Sequence, residues 1–352
     1  MKKSLVLGWS LLAMAGVWTG CSNDESVEAP VSKNAISFRL QGSTPATRTT
    51  GTQLQHVDAF VVYGTDNSDD FGVNNKFIFD GVSVVRQAAG GFDYSPKRFY
   101  GASANGSEYF AYSPVNATAN GLAVKTAPAV SNSVIAATYT YTLPKPDKNG
   151  NITQQDLLFT GARPAVDLST GNNTVTFDFK HVLSRIFVTA INQTTKDGDA
   201  IVKSLKLKNL FCQADISFDF TNNSNASSYN VAGWKWNAWA VTDSLEYILA
   251  DKGVVVPSAT SNPIFLTSME QGMMIIPQET ANTASNVDNG DFALKVEYDL
   301  GNLKNQTKYI YLTDKYKFEI GKQYSIKITF KGTLIDFSIT VEDWATPITA
   351  TN

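Results

Sequence analysis

Histidine and cysteine build many of the metal sites and nucleophilic centres in proteins, and this chain contains only two of each among 352 residues. His56 and His181 are far apart in the sequence, and neither has another His or Cys at the spacing of metal ligands, so a zinc site is not expected. The sequence also contains no G-x-x-x-x-G-K, H-E-x-x-H, C-x-x-C or G-x-S-x-G motif, the common signatures of nucleotide, zinc, redox and hydrolase chemistry. We therefore expect no catalytic residue, no metal and no cofactor, and predict that the chain is not an enzyme.

One loop has the beginning of a calcium-binding sequence. Asp147, Asn149 and Asn151 have the spacing that opens an EF-hand loop. The pattern then fails, because Ile152 stands where glycine must turn the chain and Leu158 stands where glutamate must chelate the ion. The Asn-Gly pair in this loop favours a hairpin turn instead.

Three tryptophans are close together in the segment Trp234-Lys235-Trp236-Asn237-Ala238-Trp239. In a β-strand, Trp234 and Trp236 share a face, and with Trp239 they could form a platform for the rings of a host or bacterial surface glycan. The alternative is that the rings pack in the core or along a sheet edge, as strand aromatics commonly do. A surface carbohydrate-binding protein or adhesive tip subunit is therefore our second functional hypothesis.

The elements that would position these residues are strands. Apolar and polar residues alternate at 36–40, 175–180, 324–330 and 335–342, as in antiparallel sheets with one solvated face. No long segment has a sustained helical period, and at roughly 100–200 residues per domain the length suggests two domains. The sequence therefore predicts an all-β fold, most simply two antiparallel sandwiches that meet near residue 180.

Composition excludes two classes of protein. Hydrophobic residues make up 43% of the chain, which is enough to build a core and rules out wholesale disorder. The formal net charge is −3, so the basic field that a nucleic-acid backbone requires is missing and no nucleic-acid partner is expected.

The first 20 residues have the features of an export signal. Two lysines precede the apolar stretch Leu5 to Val17, which is shorter than the about 20 residues that a membrane span needs; a transmembrane anchor is the alternative. The following Trp18-Thr19-Gly20-Cys21 resembles a bacterial lipobox, after which Cys21 would be the lipidated first residue. Cys212 would then be the remaining thiol, in an apolar run that predicts a buried position.

Arg48 is the one basic residue in the loop from Gln41 to Thr52, which is rich in Gly, Ser, Thr and Pro. An arginine among small residues in an exposed loop is where a trypsin-like protease would cut, here before Thr49. An ordinary solvated arginine is the alternative.

A series of short motifs in a fixed order resembles a known protein family. After the lipobox they are Ala35-Ile36-Ser37-Phe38, Ala46-Thr47-Arg48-Thr49-Thr50, Tyr109-Phe110-Ala111-Tyr112-Ser113-Pro114, Gln155-Asp156-Leu157-Leu158-Phe159, the run from Phe177 to Ile186, Met274-Ile275-Ile276-Pro277-Gln278, Gly321-Lys322-Gln323-Tyr324-Ser325-Ile326 and Ile339-Thr340-Val341-Glu342-Asp343-Trp344. The series is similar to the fimbrillin superfamily, the FimA-type and Mfa-like pilins of Gram-negative anaerobes, and covers nearly the whole chain.

This resemblance implies two transthyretin-like β-sandwich domains, at 49–180 and 181–352, in a structural subunit of a cell-surface fimbria (pilus) that mediates adhesion. It also implies export as an outer-membrane lipoprotein through Cys21, whose lipid is the anchor to the outer membrane before processing. Residues 1–20 would be the signal peptide, and residues 21–48 the lipidated segment that carries a removable first strand.

The resemblance gives Arg48 a specific role. In the family an arginine-specific protease cuts in this loop, and loss of the first strand exposes a groove that a neighbouring subunit fills by strand addition. Here the donor strand would lie within 335–352. The expected partners are therefore other fimbrial subunits, in a homo- or heteropolymer.

Overall fold

The computed structural model describes residues 35–41, 57–65, 76–131 (without 89 and 101–106), 134–145, 154–165, 173–220, 230–248 (without 232), 253–267, 272–278, 292–312 and 317–344 (without 333). Cys21, Arg48, Thr49 and His56 lie outside these ranges.

The described residues form strands and one short 3-10 turn at Ala117–Asn120. The strands are β1 (Ser37–Leu40), β2 (Ala59–Thr65), β3 (Phe77–Arg86), β4 (Phe92–Asp93), β5 (Tyr109–Ser113), β6 (Leu122–Ser131), β7 (Val134–Thr142), β8 (Leu158–Ala162), β9 (Thr174–Phe177), β10 (Lys180–His181), β11 (Ser184–Asn192), β12 (Ala200–Asp219), β13 (Asn230–Val231), β14 (Trp234–Ile248), β15 (Val254–Val256), β16 (Ile264–Phe265), β17 (Met273–Ile275), β18 (Ala293–Leu300), β19 (Leu303–Tyr311), β20 (Lys322–Lys331) and β21 (Leu334–Asp343).

The N-terminal part of the fold consists of a six-stranded antiparallel sheet and a much smaller second layer. The sheet has the strand order β10-β8-β5-β2-β3-β4. Strands β1 and β9 form a separate two-stranded sheet, and side chains from both sheets share one hydrophobic core. Strand β1 is therefore half of the two-stranded sheet on this side of the core.

The C-terminal part contains two larger sheets. One has the order β16-β11-β20-β21, with β17 also paired to β11, and the other has β13-β14-β12-β18-β19, with β15 paired to β12. The hairpin β6–β7 joins the second of these sheets through β7 and β12. One hydrophobic core extends from Val61 in the N-terminal part to Trp344 in the C-terminal part.

The all-β sandwich prediction is confirmed, and strand direction is where the structure departs from it. Strands β1 and β9 are parallel, and so are β11 and β20, whereas the sequence predicted antiparallel sheets throughout. Alternation identifies the buried face of a strand and carries no information about the direction of its neighbour.

The predicted joint at residue 180 does not coincide with a gap between separate units. Residues 180 and 181 form β10, which pairs with β8. The β6–β7 hairpin, which precedes the joint, is hydrogen-bonded to β12, which follows it. Hydrogen bonds and core contacts therefore cross the predicted boundary.

Candidate functional site

Strand β1 and Ile36, the residue before it, bury every second side chain. Ile36, Phe38 and Leu40 are only 2%, 4% and 4% exposed, while Arg39 between them is exposed. This is the alternation that the sequence predicted for 36–40. At about 2 kcal/mol for each fully buried apolar side chain, this row is a substantial part of what retains the strand.

The Phe38 ring lies in the middle of the hydrophobic groove that β1 fills, which we call the β1 groove; it is lined by Phe60, Phe79, Tyr94, Tyr109 and Phe177. The Phe38 ring is surrounded by five aromatic rings and lies parallel to Phe177, with an interplanar angle of 8° and 5.6 Å between centroids. The other rings meet it edge-on, at 5.2 Å for the shortest centroid distance, to Phe79, and at 5.6–6.4 Å for Tyr94, Phe60 and Tyr109. Aromatic pairs in such geometries contribute beyond their buried area, so this position is suited to another large ring.

The backbone of β1 is held by groups that any extended segment could use. The strand pairs in parallel with β9, from Ser37 opposite Thr174 to Leu40 opposite Phe177. At its start, the Ile36 N–H donates to the Arg98 carbonyl at 2.9 Å, and the Ile36 carbonyl accepts from the Tyr94 hydroxyl at 2.7 Å. Main-chain recognition of this kind is independent of side-chain sequence.

Tyr94 is suited to its donor role. Burial raises the pKa of the Tyr94 hydroxyl above its ordinary value, and a hydrogen bond with the Arg98 backbone partly opposes that shift. The hydroxyl is therefore protonated at physiological pH and can donate to a strand carbonyl. Tyr94 was not singled out from the sequence, because it precedes Ser95-Pro96 in a loop with no alternating pattern.

A second cluster fixes the end of β21. The Trp344 indole is 1% exposed and is stacked on the His181 ring, with 4.2 Å between centroids and an interplanar angle of 7°. The Arg185 guanidinium lies 4.7 Å from the Trp344 ring centroid, and Asp156 Oδ2 is hydrogen-bonded to His181 Nδ1 at 2.6 Å. Burial lowers the pKa of Arg185 to about 10, so the guanidinium remains charged at neutral pH. The sequence offered no sign of this cluster, because its members come from three distant segments.

The tryptophans of the predicted glycan platform are core residues, and the platform hypothesis is wrong for the two that define it. Trp234 and Trp236 are both 0% exposed. Their indole N–H groups donate to the backbone carbonyls of Thr160, at 3.1 Å, and Val182, at 2.6 Å. Sugar rings cannot stack on side chains that are closed off in this way, so the packing alternative applies.

Trp239 also faces the core, although simple alternation places it on the opposite face from its neighbours. Ala238 has a left-handed φ of 49°, and the β12–β14 register shifts at this point. The irregularity turns Trp239 towards the core, where it is partly buried and donates from its indole to the Pro277 carbonyl at 2.7 Å.

Cys21, Arg48 and Thr49 lie outside the described residues, so the structure gives no position for the lipidation and cleavage sites. Cys212 is buried, and burial raises the pKa of its thiol to about 11, which makes it unreactive.

Within the described ranges, no three His, Cys, Asp or Glu residues are grouped so as to hold a metal ion. No helix among the same residues is long and apolar enough to cross a bilayer.

The fold and the site together define an all-β protein with a short, side-chain-anchored strand in a groove. Residues 47–344 match the fimbrillin-like family model. The chain therefore belongs to the fimbrillin-like family, whose members are structural and non-enzymatic, and it is a fimbrial or adhesin subunit of the cell surface. No curated protein matches the chain.

The chain is also similar to solved structures of bacterial surface proteins. A fimbrial protein from Bacteroides vulgatus is 18% identical and has a TM-score of 0.58, over 88% of this chain and 99% of its own. A candidate cell adhesion protein from Bacteroides uniformis is 17% identical, with a TM-score of 0.49 over 88% of this chain and 97% of its own. The tip fimbrial protein Mfa3 from Porphyromonas gingivalis, truncated at its C-terminus, is 10% identical with a TM-score of 0.36, over 82% and 94%.

Proposed function

We propose that this chain is a subunit of a surface fimbria that is exported as an outer-membrane lipoprotein and polymerises by protease-gated strand exchange. Lipid on Cys21 anchors the precursor, and cleavage between Arg48 and Thr49 separates residues 21–48 from the rest. The observation that carries the proposal is the packing of Ile36 and β1, which fill a hydrophobic groove with three side chains and end eight residues before Arg48.

Cleavage would change how β1 is retained. In the intact chain β1 is tethered beside its groove, so its effective local concentration is high and it rebinds after each opening. Once the loop is cut, β1 leaves as a separate peptide and is diluted. The groove then presents unpaired backbone groups and an apolar row, a hazard for a free monomer and a joint for a polymer.

Strand exchange would replace β1 with an extended segment of the next subunit, which we place within 335–352. Of this range the structure describes 335–344. Processing also detaches the lipidated cysteine, so the subunit passes from the outer membrane to the fimbrium in the same step. The partners are thus the membrane before cleavage and other fimbrial subunits after it.

The test is the substitution Arg48→Ala in the chain expressed in a host that assembles fimbriae. We expect the wild type to form denaturant-resistant ladders on a gel and to start at Thr49, and the variant to stay monomeric and start at Cys21. Lys33→Ala is the matched control, since it removes another basic residue from the same segment without touching the cleavage site. Ladders formed by Arg48→Ala with residues 21–48 retained would refute the gating step.

A further inference from the structure

An aromatic pair on the outer face of β19 has the exposure that the tryptophan segment lacks. Tyr309 and Tyr311 are two residues apart in a strand, so their side chains share a face. Ile310 between them is 1% exposed and packs in the core, so the tyrosines are on the opposite, solvent side. Among the aromatic pairs at this spacing in the described part of the chain, this is the one in which both side chains are partly exposed.

The two rings form one aromatic surface. Their centroids are 6.4 Å apart, and the angle between the ring planes is 29°. Each tyrosine combines a large apolar ring with a hydroxyl that can donate or accept a hydrogen bond. A sugar ring has a matching character, because one of its faces consists of C–H groups and its rim carries hydroxyls.

Charged side chains flank the rings on the neighbouring strand. In the β18–β19 register, Lys295 is opposite Tyr309 and Glu297 is opposite Thr307, and side chains opposite each other on one face are about 5 Å apart. Lys295 forms an ion pair with Glu297, and Ser204 Oγ donates to Glu297 at 2.8 Å. The hydrogen bond from Lys295, followed by that from Ser204, holds the pKa of Glu297 below its ordinary value. Glu297 is therefore a carboxylate at neutral pH.

A second ion pair extends this polar border onto β12 and β14. Lys206 Nζ donates to Glu246 Oε2 at 3.0 Å, and the two side chains are 31% and 41% exposed. The two pairs are electrostatically connected, because Lys295 interacts with Glu246 as well as with Tyr309. The charges within the two pairs cancel, and they place both N–H donors and carboxylate acceptors beside the rings.

We infer that Tyr309 and Tyr311 form the stacking surface of a glycan-binding site, whose ligand is an uncharged chain of sugar rings hydrogen-bonded to Lys295 and Glu297. A few polar groups beside an aromatic surface fix the orientation of a bound ligand. A sugar hydroxyl both donates and accepts, so it can use an ammonium and a carboxylate that lie side by side.

The charges around the site favour an uncharged glycan over an acidic one. An acidic glycan would meet the carboxylates of Glu246 and Glu297, and the whole chain has a formal net charge of −3. Lys208, which is opposite Ala293 on the neighbouring strand, acts in the other direction. Acidic glycans therefore belong in the test.

The edge of β19 is protected against pairing with another strand, which is the competing use of such a position. Strand β19 is the last in its sheet within the described ranges. Lys304 and Lys308 are exposed along it, and Asn305 has a left-handed φ of 55°, outside the extended region. Lysines and backbone irregularities are common devices against edge-to-edge pairing. The tyrosines thus lie on a strand whose outer face is open while its backbone edge is blocked.

Binding of the purified full-length chain to a glycan array tests the class of ligand. The array carries neutral glycans together with sialylated and sulfated forms of the same cores. We expect stronger binding to the neutral members. An array with no bound neutral glycan, or with a preference for the acidic forms, would overturn the inference.

Variants of the two rings test the site, with the strongest neutral glycan of the array as the probe in isothermal titration calorimetry. Tyr309→Ala and Tyr311→Ala should each weaken binding by about 5- to 10-fold, the effect of losing one aromatic contact. Tyr309→Phe keeps the ring, and Thr307→Ala is the matched control on the same face of β19; both should stay within about 2-fold of wild type. Circular dichroism checks that the variants fold. Unchanged affinity in the Tyr309→Ala/Tyr311→Ala double variant would place the glycan elsewhere and overturn the inference.

Tyrosine iodination gives a measurement that needs no variant. With the same glycan bound, mass spectrometry should find less iodine on Tyr309 and Tyr311. Tyr63, which is also partly exposed, should be labelled equally with and without the glycan. Equal labelling of Tyr309 and Tyr311 in the two samples would contradict the proposed site.

The glycan site is independent of the proposed strand exchange and uses no residue of the β1 groove. Arg48→Ala should therefore bind the same neutral glycans as the wild type while it stays monomeric. Ladders that form normally from a chain without glycan binding would overturn the glycan site alone. Glycan binding by a chain that forms ladders without cleavage would overturn the gating step alone.

Discussion

Strands β1 and β21 have nearly the same side-chain pattern, but the fold holds them in opposite ways. Strand β1 has four residues paired to its neighbour and buries its whole inner row, whereas β21 has ten paired residues and leaves Phe337 and Val341 partly exposed. A backbone ladder forms on any strand edge, but a row of side chains fits only a groove that matches it. The short strand is therefore retained by side-chain contacts along its whole inner row. The long strand is retained mainly by its backbone ladder, with Ile335 and Trp344 buried near its two ends.

Under the proposed strand exchange, an incoming segment would gain the buried site of β1. Phe38 is 4% exposed there, whereas Phe337 in β21 is 39% exposed. Burial of apolar area stabilises by about 25 cal/mol per Å², so a matching row of side chains would favour the incoming segment. The backbone ladder would not, because β21 has ten paired residues on β20 and the β1 position offers four on β9.

The largest effect should come from Phe38→Ala in the uncleaved chain. Removal of a ring surrounded by five others should lower the free energy of unfolding by about 4 kcal/mol. The matched change Phe337→Ala should cost at most half as much, because that ring is already partly in water. Urea denaturation measures both, and equal losses would contradict the contrast between the two strands.

Trp344→Ala should come next, at about 3 kcal/mol. The indole is packed between His181 and Arg185 and closes the end of β21. Its loss should free the end of the strand, so amide hydrogen exchange should rise in β21 more than in β1. Uniformly faster exchange in both strands would mean that the cluster stabilises the whole domain and does not act on β21 in particular.

The sequence was sufficient to predict the buried row of β1 and the apolar row of β21, since alternation alone identifies which residues face a core. It could not show that β1 and β9 are parallel, because that depends on connections between distant segments. Alternation alone also cannot anticipate the left-handed residue Ala238, which turns Trp239 towards the core on the same side as Trp236. The cluster of His181 and Trp344 was invisible for a related reason: stacking brings together residues from separate strands, and no local spacing records it.

Tyr94→Phe should have a smaller effect, a loss of about 1 kcal/mol in the stability of the uncleaved chain. The change removes the hydroxyl that donates to the Ile36 carbonyl at 2.7 Å and leaves the ring beside Phe38. Because this hydrogen bond is to the backbone, we expect the same loss for any strand in the groove. Native mass spectrometry of the cleaved protein with peptide 35–41 or peptide 334–343 should show both affinities lowered by a similar factor. A loss confined to one peptide would mean that the two strands bind in different registers.

The smallest effect should come from Asp336→Asn in the uncleaved monomer. This change breaks the ion pair with Lys331, whose side chain is 48% exposed while that of Asp336 is 63% exposed. Water and salt screen such a pair, and the ordering of two flexible side chains offsets much of its attraction. Thermal unfolding of the variant should therefore match the wild type at both low and high salt. A clear loss of stability at low salt alone would show that charge also retains β21 on β20.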